Sequence, residues 1–172
     1  MKHLLMSLCI IYLLSACKDQ QEQQSTATQQ SQEAIAQQSL TAYEGLAWKV
    51  LTSLQAESDQ LMVKEAIDSL IHSSESLFLA MKTQLPECEA SLLVMADYVS
   101  KMKATKAVQS APMELTPTLP DFTEPRCYHA QQLLLNSLAV FAIAEQAAMT
   151  EQDYHQAKLK MIDSIARIKQ LN

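Results

Sequence analysis

The sequence predicts an all-α fold: a four- or five-helix bundle with a proline-rich crossover loop. Three observations predict it. The 172 residues include a single Gly and only 5% aromatics, while Ala, Leu, Gln, Met, Glu and Lys dominate, which is a helix-forming composition. Apolar residues recur at spacings of three and four through four of five helical segments, the period of a helix with one buried face. Four of the five prolines fall between 112 and 125, which concentrates the helix-breaking residues in one connection.

The first helix is expected at about 33–57, where Ala36, Leu40, Tyr43, Ala47, Val50 and Leu54 make one stripe. Ser58 or Asp59 is placed to cap the second, about 59–84, with a seam of Val63, Ile67, Leu70, Ser74, Leu77 and Met81. Pro86 suits the first turn of the third, about 86–108, whose seam is Cys88, Leu92, Met95, Val99 and Met102. The fourth, about 125–148, is apolar nearly all round from Leu133 to Ala144, so it is expected to be the most buried. Asn136 and Ser137 interrupt that run, and it is too short for a membrane span. Thr150 and Asp153 form a capping pair for the fifth, about 151–171, whose face carries Tyr154, Ala157, Met161, Ile165, Ile168 and Leu171.

The N-terminus has a different logic. Lys2 and His3 precede an apolar run, Leu4 to Leu14, which is too short to cross a bilayer stably. Leu14-Ser15-Ala16-Cys17 closes it. This resembles the lipobox of bacterial lipoproteins over residues 1–17, and no family resemblance is evident beyond it. The resemblance implies cleavage after Ala16, with diacylglyceryl transfer and N-acylation (palmitate and similar chains) at Cys17. The chain then divides into a signal peptide (1–16), a Gln/Ser-rich tether (17–32) and a helical domain (33–172). Lys18, where an inner-membrane retention signal would have Asp, implies the periplasmic face of the outer membrane of a Gram-negative envelope.

Removing residues 1–16 leaves 156 residues, enough for one domain with a real core, and takes the formal charge from −6 to −7 through loss of Lys2. This acidity argues against a nucleic-acid partner and against peripheral binding to anionic lipid. Cys9 leaves with the signal and Cys17 is lipidated, so Cys88 and Cys127 remain in an oxidising compartment. They read as one disulfide, the alternative being two separate buried thiols. A bridge between the starts of the third and fourth helices makes those helices parallel. The third is about 33 Å long, and the proline-rich segment, reaching up to about 56 Å, is long enough to return along it.

Chemistry is sparse. His72, His129 and His155 do not converge, since the last two start consecutive helices. Asp68/His72 and Glu151/His155 are i,i+4 surface pairs. No Glu-x-x-His pair, haem-attachment motif, nucleophile elbow or phosphate loop occurs. Glu145, in the most apolar helix, reads as lying at its solvated end. Trp48, the only tryptophan, falls beside the first seam near Gly45; it is a candidate partner contact unless Leu119 or Phe122 of the crossover covers it. The expectation is a non-enzymatic, lipid-anchored binding or scaffold module with a protein partner, no metal and no cofactor. The alternatives are an immunity-type protein against a toxin delivered to the periplasm, and a bundle carrying haem or another small ligand.

Overall fold

The computed structural model describes residues 30–108 and 124–171. The bundle lies within Ala36–Asn172. The expected signal, the lipobox and most of the expected tether lie outside the described residues, as does the crossover over 109–123. Five helices and no strand occur among the described residues. They are α1 (30–55), α2 (Gln60–Met81), α3 (Glu89–Val108), α4 (Pro125–Ala144) and α5 (Glu151–Leu171), with a single 3₁₀ turn, Pro86–Cys88, leading into α3.

α1 is already helical at Gln30, three residues inside the expected tether. It ends in a Schellman turn: Ser58 N–H donates to Ser53 O at 3.0 Å and Glu57 N–H to Leu54 O at 3.3 Å. Glu57 takes the left-handed position, with φ 47°, that glycine usually fills. Asp59 then caps α2, accepting from Leu61 N–H at 2.8 Å. α2 stops at Met81, three residues before the expected end. Pro86 disfavours the helical conformation at Leu85, which adopts φ −127°, ψ 63° and turns its side chain wholly into the core.

α4 ends at Ala144 rather than 148, although Ala and Gln continue the local propensity for helix. The stop is tertiary. The Gln60 side-chain amide donates to Ala144 O at 3.0 Å and Gln146 O at 2.6 Å, and its oxygen accepts from Met149 N–H at 3.2 Å. One side chain from α2 therefore serves the carbonyls and amide of the reversal. α5 opens as expected: Asp153 accepts from Thr150 N–H at 2.8 Å, and Thr150 Oγ1 accepts from Asp153 N–H at 3.3 Å.

Contacts at the two ends fix the directions. The start of α2 meets the end of α4 through Gln60, and Lys64 pairs with Glu145 at 2.7 Å. The turn after α1 meets the start of α5, where Tyr154 Oη donates to Ser58 O at 2.8 Å. At the opposite end, Lys82 pairs with Glu89 at 3.1 Å, and Arg126 donates to Leu171 O at 3.3 Å. Thus α1, α3 and α4 run one way and α2 and α5 the other. The parallel relation of α3 and α4 is the one expected from a bridge between their starts.

Every predicted seam residue of α1 to α3 is buried, as are Ala157, Met161, Ile165, Ile168 and Leu171 of α5; Tyr154 is half-buried. α4 is central, packed on α2, α3 and α5 and reached by Tyr43 of α1. No described helix is long and apolar enough to cross a membrane.

Candidate functional site

The cysteines are brought together. Cys88 closes the 3₁₀ turn and Cys127 lies in the first turn of α4; their sulfurs are 1.99 Å apart with Cα atoms at 5.3 Å, and both residues are buried. Their place at the shared starts of two parallel helices makes the pair a structural staple. Cys17 lies outside the described residues.

Trp48 is 48% exposed on the outer face of α1. Its indole N–H points to Glu44 Oε1 at 3.4 Å, and its carbonyl accepts from Thr52 Oγ1 at 2.9 Å. Gly45 lies one turn before it, and a Cβ built there would meet nothing within 4 Å. An exposed glycine within a helix costs about 1 kcal/mol relative to alanine. No neighbouring atom among the described residues requires that cost; the glycine stands in open space one turn before the half-exposed indole. Leu119 and Phe122, the alternative cover, lie outside the described residues.

The histidines are dispersed. His72 is exposed, its Nδ1 2.7 Å from Asp68 O and 3.9 Å from the Asp68 carboxylate. His155 is exposed at the start of α5, and His129 sits at the other end of the bundle near the start of α4. Among the described residues, no group of three or more His, Cys, Asp or Glu side chains could hold one metal ion. Glu145 caps the end of α4 and pairs with Lys64, a solvated structural role.

Two polar constellations were not anticipated as such. The first lies in the core. Tyr43 Oη is 2.9 Å from Ser137 Oγ and donates toward Leu133 O at 3.2 Å, tying α1 to α4. Burial pushes this hydroxyl up to about 12, against the lowering effect of bonds to Ser137 and Ser74. Ser137 and Ser74 each also donate to a carbonyl four residues back in their own helices. The sequence signal was present: a tyrosine on a seam needs a hydroxyl partner when buried, and Ser74 and Ser137 occupy apolar positions.

The second joins α4 to α5. Asp163 accepts from Asn136 Nδ2 at 2.8 Å and from Arg167 Nε at 2.7 Å. Arg167 Nη1 lies 3.2 Å from His129 Nδ1, and its guanidinium stands 5.0 Å from the Tyr128 ring centre. Burial opposes ionisation of Asp163, but the bonds from Arg167 and Asn136 outweigh it and hold the carboxyl below its usual range. Desolvation, followed by the Arg167 cation, lowers the His129 pKa. With Arg167 donating, Nδ1 acts as the acceptor and the imidazole is neutral. The network aligns two antiparallel helices. Asn136, read in the sequence as an interruption, is its buried member.

No family model, curated protein or solved structure matches this chain.

Proposed function

We propose that this chain is a lipid-anchored, periplasm-facing binding module that works through a protein contact rather than through chemistry. The observation that carries the reading is the Gly45–Trp48 face. The only glycine of the chain stands exposed in mid-helix, where alanine would stabilise the helix and clash with nothing among the described residues. A partner that closes over the indole and needs the backbone at Gly45 uncovered explains this choice. A half-exposed tryptophan is the kind of anchor on which binding energy concentrates.

The lipobox resemblance supplies the location. Acylation at Cys17 would hold the bundle near the outer membrane, and confinement raises the effective concentration toward membrane-proximal partners. An immunity-type role fits the same face and location. The polar groups that do converge, on α4 and α5, are engaged with one another and span two helices as a clamp.

Two experiments test the parts separately. Fatty-acid labelling is expected to mark the wild-type chain and to vanish in Cys17→Ala; equal labelling of both removes the anchor. In a host where deletion gives a phenotype, Trp48→Ala and Gly45→Met are expected to fail complementation while folded and abundant. His72→Ala, His129→Ala and His155→Ala are expected to complement. A dead, folded histidine variant beside a normal Trp48→Ala would replace the binding reading with a ligand-dependent or catalytic one.

A further inference from the structure

We infer that the Gly45–Trp48 face meets a second copy of this chain, the two α1 helices packing side by side and parallel as a short two-stranded coiled coil. The inference names the partner in the contact reading proposed above and rests on that reading. α1 carries two seams. One is the buried stripe from Ala36 to Leu54. The other faces outward: Gln38, Thr41, Gly45, Trp48, Thr52 and Gln55 recur at spacings of three and four, and all six are exposed. This is the spacing of positions a and d in a two-stranded coiled coil, with Gly45 at a and Trp48 at d. Thr41 and Thr52 each donate a hydroxyl to the carbonyl four residues back, at 2.9 Å, so neither needs a polar partner across the seam.

Charge identifies the occupant. Between residues 34 and 56 the only charged side chains are Glu44 and Lys49. No opposite charge stands three or four residues from either, and neither joins an ion pair among the described residues. They are five residues apart and flank the outward seam on its two sides, at g of one heptad and e of the next. In a parallel pair that is the spacing at which Glu44 of one copy meets the partner's Lys49, twice by symmetry. An antiparallel pair would instead set like charges on each edge, Glu44 toward the partner's Glu44 and Lys49 toward the partner's Lys49. The glycine has a role in the same geometry. Facing Gly45 residues let the two backbones approach, and each indole then lies across the partner's Gly45, one turn away.

Magnitude sets where the pair forms. Gln38 to Gln55 span about 26 Å of helix, and the stripe is about 10 Å wide. That falls well short of the roughly 800 Å² per partner of a stable interface. The contact therefore needs copies that are already concentrated. Cys17 stands 13 residues before Gln30, where the described part of α1 begins. Acylation there would hold two copies in one leaflet through the same end of α1. Such attachment favours the parallel arrangement and raises the effective concentration of each copy for the other.

The test expresses the full chain in cells with one added thiol, Thr41→Cys or Thr52→Cys, and treats them with a short bis-maleimide. The chain without an added thiol is the blank, and His72→Cys is the control on another helix. Each seam thiol is expected to give a species of twice the mass, and His72→Cys none. In the Thr41→Cys background, Trp48→Ala is expected to lower the yield about tenfold or more, and Glu44→Lys about fivefold. Glu44→Lys/Lys49→Glu is expected to restore it, a rescue that only contact between copies can produce. Helicity by circular dichroism confirms that the variants fold. No product from either seam thiol, or no rescue by the double reversal, overturns the inference. So does a product that forms only when Thr41→Cys and Thr52→Cys copies are expressed together, which marks antiparallel pairing. The functional reading fails separately. A Trp48→Ala chain that fails complementation where no self-cross-link exists gives the face to another protein and overturns only the second copy. A cross-link lost in a Trp48→Ala chain that still complements supports the pair and removes the functional reading.

Discussion

Replacing Tyr43 with Phe removes one hydroxyl from the centre of the bundle and leaves the ring. The partners are not orphaned, because Ser137 still donates to Leu133 O at 2.8 Å and Ser74 to Leu70 O at 3.2 Å. The loss is thus that of a net hydrogen bond, about 1 kcal/mol at neutral pH. Alkaline pH reverses the order. A tyrosine whose folded pKa is raised from 10.0 to about 12 favours the fold only while protonated. As pH rises through the unfolded value, the unfolded chain releases the proton first. Stability then falls by about 1.4 kcal/mol per pH unit until the folded value is reached. The wild-type advantage of about 1 kcal/mol is therefore consumed within one pH unit above 10, and Tyr43→Phe becomes the more stable protein near pH 11. Urea unfolding followed by circular dichroism at pH 7, 9, 10 and 11, with Tyr43→Phe measured beside wild type, reads the difference directly. Two curves that stay parallel from pH 7 to 11 would refute the buried, hydrogen-bonded hydroxyl. A Tyr43→Phe protein already more stable at pH 7 would refute the claim that this polar contact joins α1 to α4 favourably.

Four further outcomes follow from the same structure. Glu57→Gly is expected to stabilise by about 0.5–1 kcal/mol, since glycine carries no penalty at φ 47° and the ion pair lost, to Lys158 at 4.0 Å, is weak; thermal denaturation measures it. Ser164 Oγ is buried with no hydrogen-bond partner among the described residues, so Ser164→Ala is expected to raise stability by about 1 kcal/mol in urea titrations. Cys88→Ala/Cys127→Ala opens a loop of sequence separation 39 and is expected to cost about 4 kcal/mol, read as a shift of the urea midpoint against the oxidised parent. Below pH 6.5 the unfolded chain takes up the His129 proton before the folded one, so stability falls toward acid; His129→Gln is expected to flatten that limb of the pH–stability curve.

The helices were legible because their information is local. Seam spacing placed the buried faces of α1 to α3 residue by residue, and Asp59 and Thr150/Asp153 marked starts that the backbone adopts. The ends of helices were less legible. The stop at Ala144 depends on Gln60, 84 residues away, and no local propensity encodes it. The stop at Met81 was readable in hindsight from Pro86, whose effect reaches back through Leu85. The polar clamps followed the same division. Tyr43, Ser137 and Asn136 stood out as polar groups on apolar faces, but which of them meet is set by the packing of α1 and α5 against α4. Trp48 and Gly45 were visible as a pair, whereas the open space above Gly45 needed three dimensions.

The Gly45–Trp48 face is the surface proposed to meet a partner. A photoreactive residue placed at position 45 in living cells tests it most directly, with position 72 as a control on a different helix. A discrete cross-linked product is expected from position 45, absent from position 72 and abolished by Trp48→Ala. The same product from both positions, or one indifferent to Trp48→Ala, would contradict it.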